Sequence, residues 1–333
     1  MDFSYLRGMR VCVTGATGFV GRHLVPRLAE AGAEVSCIVR ASSDTRGLPQ
    51  AARIIQADLC SGSGLAKALE GQDALVHMAA LLFGTGWQDY LQANTRAAET
   101  LARAAAEVPS LRRVVLVSSL SATGPSDRSP GVRDNADCAP VSAYGWSKYV
   151  SEQIFSRRLG DRLVTLRPPI IYGSGDRGLL PCFRAAQQGL LVTPGCFRPF
   201  PVSAVHVHDM AQAVMCALSE KARGVYHIND GHEYTMRDFD RAMARAVGKK
   251  GIVLGLPLWF MCVTAFFSTL WAKLRPNRRA PSWNMDKFRE ARCAGWLCDS
   301  SRITEELGYK PAVSLHDGMA EAVSGYRSQG MLQ

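Results

Sequence analysis

The sequence predicts an α/β chain: a doubly wound parallel sheet with a smaller C-terminal domain. Three observations predict it. Short apolar segments alternate with amphipathic helical ones through the first half. A glycine-rich turn, TGATGFVG at 14–21, joins the first apolar segment to the first helical one. The second half loses the alternation, and its segments at 173–203 and 275–296 read as loops carrying many of the prolines and basic residues. Short apolar strands joined by helices imply a parallel sheet covered on both faces, with right-handed crossovers.

The elements follow in order. RVCVT at 10–14 is a buried-type strand, and the helix after the glycine turn runs to Ala31, with Gly32 just past its end. Strands follow at 34–40, 53–57 and 74–78. Ala, Arg, Glu and Leu make 90–108 a helix. Further strands fall at 113–118 and 163–166, which completes a Rossmann-type sheet. In the second half, 205–207 and 225–228 read as strands, and 209–219 and 235–247 as helices. The two domains interleave: residues 8–171 plus about 204–229 form the first, and about 172–203 plus 230–330 the second, substrate-binding one.

Composition narrows the function classes. The chain has 333 residues, 47% hydrophobic and 20% charged, which excludes a disordered chain. Ten scattered cysteines form no Cys-x-x-Cys pair, so neither a metal site nor a disulfide framework is expected. They read as reduced thiols of a cytoplasmic protein, and no secretory signal opens the chain. The net charge of +10 favours an anionic partner: a phosphorylated cofactor or an acidic membrane surface. No nucleic-acid motif accompanies it, so nucleic acid is not expected as a partner.

The glycine turn carries the first chemical signal. Gly15 permits the tight turn, Gly18 lets backbone approach a pyrophosphate, and Gly21 lets helix and strand pack closely. The helix N-terminus then offers N–H groups and a positive dipole to phosphates. The second strand ends at Arg40, where an acidic residue would grip ribose hydroxyls. An arginine there suits a 2′-phosphate, with Ser42 and Ser43 as hydroxyl donors, so NADP(H) is favoured over NAD(H). Asp58-Leu59, past the third strand, is placed to bracket adenine.

Tyr144 and Lys148 carry the second signal. At i and i+4 they share a helix face, and a lysine ammonium near a phenol lowers its pKa from about 10. Such a tyrosine serves as general acid or base. Ser118-Ser119 lies 25–26 residues upstream, at the carboxyl end of a strand, where a hydroxyl can orient the substrate oxygen.

With these residues in view, the chain resembles the extended short-chain dehydrogenases/reductases of the NAD-dependent epimerase/dehydratase type. The matching stretches are TGATGFVG (14–21, with Thr17, Phe19 and Val20), DL (58–59), HMAA (77–80, with Ala79 and Ala80) and Asn94. VSSLSATGP (117–125), YGWSK (144–148), LRPPIIYGSGD (166–176, with Pro168, Ile171 and Tyr172), VHVHDMAQA (205–213) and ELGYKPAVSLHDGMAEAV (306–323) complete the set. The resemblance implies Tyr144 as acid/base, Ser119 as orienting hydroxyl with Ser121 as runner-up, and Lys148 as the holder of the nicotinamide ribose. It assigns Pro168, Ile171, Ala79, Ala80 and Asn94 to the cofactor region, Asn94 through the hydrogen-bond network.

The branch is read from departures. Sugar-nucleotide enzymes of this type carry an asparagine after the sixth strand to hold a pyrophosphate, whereas this chain has isoleucine there. Leu120-Ser121 replaces the acidic residues expected of a dehydratase. LRPPIIYGSGDRGLLP resembles the 3β-hydroxysteroid dehydrogenase branch, and the Arg40 strand end resembles the dihydroflavonol-reductase branch. Both imply an apolar ketone or alcohol. Leu81 and Leu82 begin the loop expected to meet it, with Ser121 and Tyr172 nearby. An epimerase or dehydratase, and a cofactor-binding scaffold without turnover, are the rival readings.

One segment fits none of this. Residues 251–272 (GIVLGLPLWFMCVTAFFSTLWA) carry no charge, with Lys249 and Lys250 before them and Lys273, Arg275, Arg278 and Arg279 after. Pro257 leaves a helix over 258–274 with tryptophans near both ends. Three readings stay open: a buried helix in the substrate pocket or a homodimer contact, peripheral membrane contact, and a membrane span.

Overall fold

The computed structural model describes residues 1–195, 198–275 and 280–333; Cys196, Arg278 and Arg279 lie outside them. The strands are β1 (Arg10–Thr14), β2 (Glu34–Val39), β3 (Arg53–Gln56), β4 (Ala74–His77), β5 (Arg113–Val117), β6 (Leu163–Arg167), β7 (Ile170–Tyr172), β8 (Leu190–Pro194), β9 (Pro201–Val202), β10 (Ala204–His206), β11 (Gly224–His227), β12 (Tyr234–Thr235) and β13 (Ile252–Leu256). The helices are α1 (Phe19–Glu30), α2 (Leu65–Leu69), α3 (Trp87–Tyr90), α4 (Ala97–Ala106), α5 (Leu120–Thr123), α6 (Ala143–Leu159), α7 (Leu180–Gln187), α8 (Val207–Ala217), α9 (Met236–Ala246), α10 (Leu258–Lys273), α11 (Met285–Ala291), α12 (Ser301–Leu307) and α13 (Leu315–Ser328).

Seven strands form one parallel sheet in the order β11-β6-β5-β4-β1-β2-β3. The order reverses between β1 and β4, the switch point where doubly wound sheets bind ligands beyond their carboxyl ends. One face buries Leu24, Val25 and Leu28 of α1 with Met210 and Val214 of α8. The other buries Leu101 of α4 and Phe155 of α6. A third core joins Tyr172, Phe183, Leu191, Phe239, Met319 and Tyr326 from the C-terminal elements.

The expected helix over 90–108 is instead three pieces, with a π-helical turn at Leu91–Arg96 between α3 and α4. Such turns are wider than α-helix and recur at functional sites. The stretches 173–203 and 275–296, read as loops, contain α7, β8 and α11. α10 corrects the spanning reading and that of a helix buried within the chain, and leaves the homodimer and peripheral membrane contacts open. Only Met261 and Ala265 of it are buried, and no described helix is long and apolar enough to cross a membrane.

Candidate active site

At the switch point, Gly15 has φ +77, and a Cβ there would stand 2.7 Å from the Ala79 nitrogen. A Cβ on Gly21 would meet the Gly15 carbonyl at 2.3 Å, so only glycine lets α1 sit this close to β1. Gly18 is the N-cap of α1, and no side chain caps the helix. The first-turn N–H groups, from Phe19 and Val20 onward, are thus left for an anion. Arg22 braces this edge, donating to the carbonyls of Thr17, Asp44 and Arg46 at 3.2, 3.1 and 2.6 Å. Arg40 stands exposed one residue past β2, its N–H bonded to Ser43 Oγ at 3.2 Å. Asp58 Oδ1 accepts from the Cys60 and Ser61 amides, while Leu59 packs on the core behind it.

The loop after β4 is held from several sides. Thr14 Oγ1 and His77 Nδ1 bond at 2.7 Å across β1 and β4. Asn94, from the π turn, accepts from Leu81 N–H at 2.7 Å and donates to the Leu81 carbonyl and to Ser147 Oγ at 3.1 and 3.0 Å. Its side chain is therefore spent on the loop and the helix, past Ala79 and Ala80. Tyr90 Oη accepts from Gly84 N–H at 2.9 Å. Leu81 packs with Tyr90 and Tyr144, while Leu82 is 54% exposed.

Ser119, Tyr144 and Lys148 converge at the ends of β5 and α6. Ser119 is the N-cap of α5: its Oγ accepts from Ser121 N–H at 3.1 Å, and its hydroxyl lies near enough to the Tyr144 phenol to favour the phenolate slightly. Ser121 acts through backbone, and its carbonyl abuts Gly145, where a Cβ would come within 2.3 Å. Pro168 accepts the Leu120 N–H at 2.8 Å, and Ile171 packs on the sheet core. Ser118 Oγ, next to Ser119, is buried with no partner. A buried hydroxyl without a partner past the carboxyl end of β5, and an uncapped glycine turn past that of β1, fit a bound dinucleotide, since buried polar groups are normally satisfied.

Two expectations need correction. The spacing predicts that Lys148 acidifies Tyr144. Instead its Nζ donates to the Val117 carbonyl at 2.8 Å, and burial pulls its own pKa down to about 8, with Glu152 opposing. Burial also raises the Tyr144 phenol above the ordinary value, because desolvation disfavours the phenolate. The cation pulling Tyr144 back is Lys287, whose Nζ is 4.7 Å from the ring centre. Tyr172, expected near substrate, is fully buried in the C-terminal core, edge-on to His206 and Phe239. Its register partner across the β7–β10 pair is His206, and its core neighbours come from the C-terminal elements.

α11 is an element of the candidate site that sequence reasoning missed. Asp286 accepts from Ala143 and Tyr144 N–H at 2.6 and 3.1 Å, placing a carboxylate on the positive end of α6. Glu290 accepts from Ser142 Oγ at 2.7 Å and pairs with Lys287 at 2.8 Å. Burial opposes the Lys287 charge, but Glu290 holds its pKa above the ordinary lysine value. Asn284 caps α11, accepting from Asp286 and Lys287 N–H at 3.0 Å, and donates to the Gly84 carbonyl at 3.3 Å. The Asn-x-Asp start of this helix was the available sequence signal. Elsewhere, His206, His208 and Glu321 gather ligand-type atoms within 4.8 Å. His206 Nδ1 accepts the His208 N–H at 3.4 Å, a pattern that assigns its ring proton to Nε2, toward Glu321.

This geometry has relatives among known proteins. The family model described as "NAD dependent epimerase/dehydratase family" matches residues 11–229. The ceramide reductase of Caulobacter vibrioides is 29% identical over 331 residues, covering 97% of this chain and 96% of that protein. The 4-hydroxy-2-methyl-3-oxo-4-farnesyl-3,4-dihydroquinoline-1-oxide ketoreductase of Stigmatella aurantiaca is 26% identical, covering 97% and 99%. Among solved structures, the UDP-glucose 4-epimerase of Thermus thermophilus in complex with NAD superposes with a TM-score of 0.75 at 21% identity, covering 96% and 99%.

Proposed function

The chain belongs to the NAD-dependent epimerase/dehydratase family and is an extended short-chain dehydrogenase/reductase, and from that premise we propose that it interconverts a ketone and a secondary alcohol on an apolar, lipid-like substrate. The observation that carries this reading is the buried Tyr144, packed against Leu81 of a loop that carries no charge.

When bound, NAD(P)H supplies the hydride. Gly15, Gly18 and the start of α1 would hold its pyrophosphate, and Arg40 with Ser43 a 2′-phosphate, which favours NADP(H). In the reductive direction Tyr144 holds a proton on its phenol oxygen and passes it to the carbonyl oxygen. Ser119 Oγ donates to that same oxygen as negative charge develops on it. Burial suits Tyr144 to this role: a phenol kept protonated is ready to donate. Lys148 would hold the nicotinamide ribose. Both named relatives, as their names state, are reductases of lipid-like or farnesylated compounds, which supports the apolar substrate.

The test is bulk oxidation of NADPH against NADH with long-chain ketones, ceramide-type ketones and UDP-sugars. Consumption of NADPH with the lipid-like ketones is expected. A sugar-nucleotide substrate turned over without net cofactor consumption would replace this reading by an epimerase.

A further inference from the structure

α10 is an inside-out helix. Its hydroxyls face the protein. Trp283 Nε1 donates to Thr264 Oγ1 at 3.1 Å, Ser268 Oγ donates to the Trp283 carbonyl at 2.7 Å, and Met285 N–H donates to Thr269 Oγ1 at 2.9 Å. The opposite face shows Trp259, Val263, Phe266, Phe267, Leu270 and Trp271 to solvent, each between 42% and 67% exposed. A surface helix in water ordinarily presents the reverse pattern.

The apolar surface extends beyond the helix. In the β8–β13 pair, Leu190 lies opposite Ile252 and Val192 opposite Leu254, and all four are at least 43% exposed. Leu191 and Thr193 point inward at 2%. Pro257 alone joins β13 to α10. Such an area exceeds the scattered apolar residues normal on a soluble surface.

The rim is cationic. Lys249, Lys250, Lys273 and Arg275 are exposed at the ends of the segment, and no acidic residue falls between Asp240 and Asp286. The Arg275 guanidinium covers the Trp271 ring at 3.9 Å. At 16 residues, α10 is about 24 Å long, short of the roughly 30 Å hydrocarbon core.

We infer that α10 and the outward face of β8–β13 seat the protein on an anionic bilayer surface, with α10 lying in the interfacial plane. A two-fold contact with a second copy would bring the same cationic rims together, whereas anionic headgroups neutralise them. Tryptophans near both ends of the helix suit the headgroup boundary. The protein-facing side of α10 is fastened to the segment that carries Lys287 over Tyr144. The seat therefore adjoins the candidate active site, where a lipid-like substrate would arrive from the bilayer. The seat does not itself rest on that substrate reading, because vesicle binding is measured without turnover.

The experiment is flotation of the full chain with phosphatidylcholine vesicles, with and without about 30% phosphatidylglycerol, beside sedimentation and thermal melts. Wild type is expected to float with the anionic vesicles and to lose most binding in about 0.5 M salt. Trp259→Ser with Trp271→Ser, and separately Phe267→Glu, should each weaken partition by about tenfold or more while melting like wild type. Three results would overturn the inference. Wild type floats with neither vesicle. Both variants bind as wild type does. Wild type sediments as a dimer that the variants dissolve, which makes this face a subunit contact.

Discussion

The Lys287 ammonium lies 4.7 Å from the centre of the Tyr144 ring, whereas Lys148, one turn along α6 from Tyr144, is bonded to the Val117 carbonyl at 2.8 Å. Two cations therefore divide what one was expected to do. Lys148 is fixed on the sheet side, and Lys287, from α11, supplies the charge that tempers the phenol. Asp286 and Glu290 of the same short helix hold the first turn of α6, so the position of Tyr144 depends on a segment more than 140 residues away in sequence.

Removing the Lys287 charge should raise the Tyr144 pKa further. Oxidation of alcohol needs the phenolate as base, so the rising limb of kcat/KM should move to higher pH in Lys287→Met. Lys287→Arg should restore most of it. A loss that is merely structural would lower the rate at every pH and leave the limb in place.

Asp286→Ala strips two N–H groups at the start of α6 of their acceptor. The expected loss is about 1–3 kcal/mol in urea unfolding, with Asp286→Asn costing less because one acceptor oxygen survives. Loss of turnover should accompany it, since Tyr144 is one of the two residues released. Equal stability of the alanine variant and wild type would contradict the capping role.

Lys148 gives a pH signature. Its pKa falls from 10.5 unfolded to about 8 folded, so between those values the unfolded chain binds more protons and stability rises with pH. Below pH 8 the full penalty applies. Lys148→Met removes it, and should be more stable than wild type at pH 7 by up to about 2 kcal/mol, despite losing turnover. The gap should close as pH climbs through 8 to 10.5. A gap constant with pH would contradict the burial assigned to this ammonium.

Arg40→Asp should move cofactor preference toward NAD(H), because a carboxylate accepts from ribose hydroxyls and repels a 2′-phosphate. The shift is expected at no more than about 3 kcal/mol of differential binding, read by titrating both cofactors. Wild type that binds NADH as tightly as NADPH would contradict the reading of Arg40.

The sheet and its glycine turn were legible because their constraints are local. Gly15 and Gly21 sit where a Cβ would strike neighbouring backbone, and the buried strands are continuous apolar runs. Ser119, Tyr144 and Lys148 were legible as types at a spacing. What Lys148 touches was not, because the Val117 carbonyl and the burial of the phenol are products of packing. The π turn was hidden for a related reason: Leu91, Gln92, Ala93 and Arg96 are good helix formers, and only Asn94 reaching Leu81 and Ser147 shows what the turn holds. Tyr172 misleads because its motif adjoins the site while its side chain turns into another core. α11 escapes notice because an Asn-capped helix of seven residues has no periodicity to see, and Lys287 reaches Tyr144 only through tertiary contact.

The most direct test is stopped-flow hydride transfer from saturating NADPH to a long-chain ketone, with wild type beside Tyr144→Phe. The substitution removes the phenol oxygen and leaves the ring against Tyr90 and Leu81. Cofactor affinity and melting temperature should be unchanged, while the transfer rate falls by roughly 10²-fold or more. A Tyr144→Phe enzyme that reduces the ketone at close to the wild-type rate would contradict the assignment of proton transfer to Tyr144.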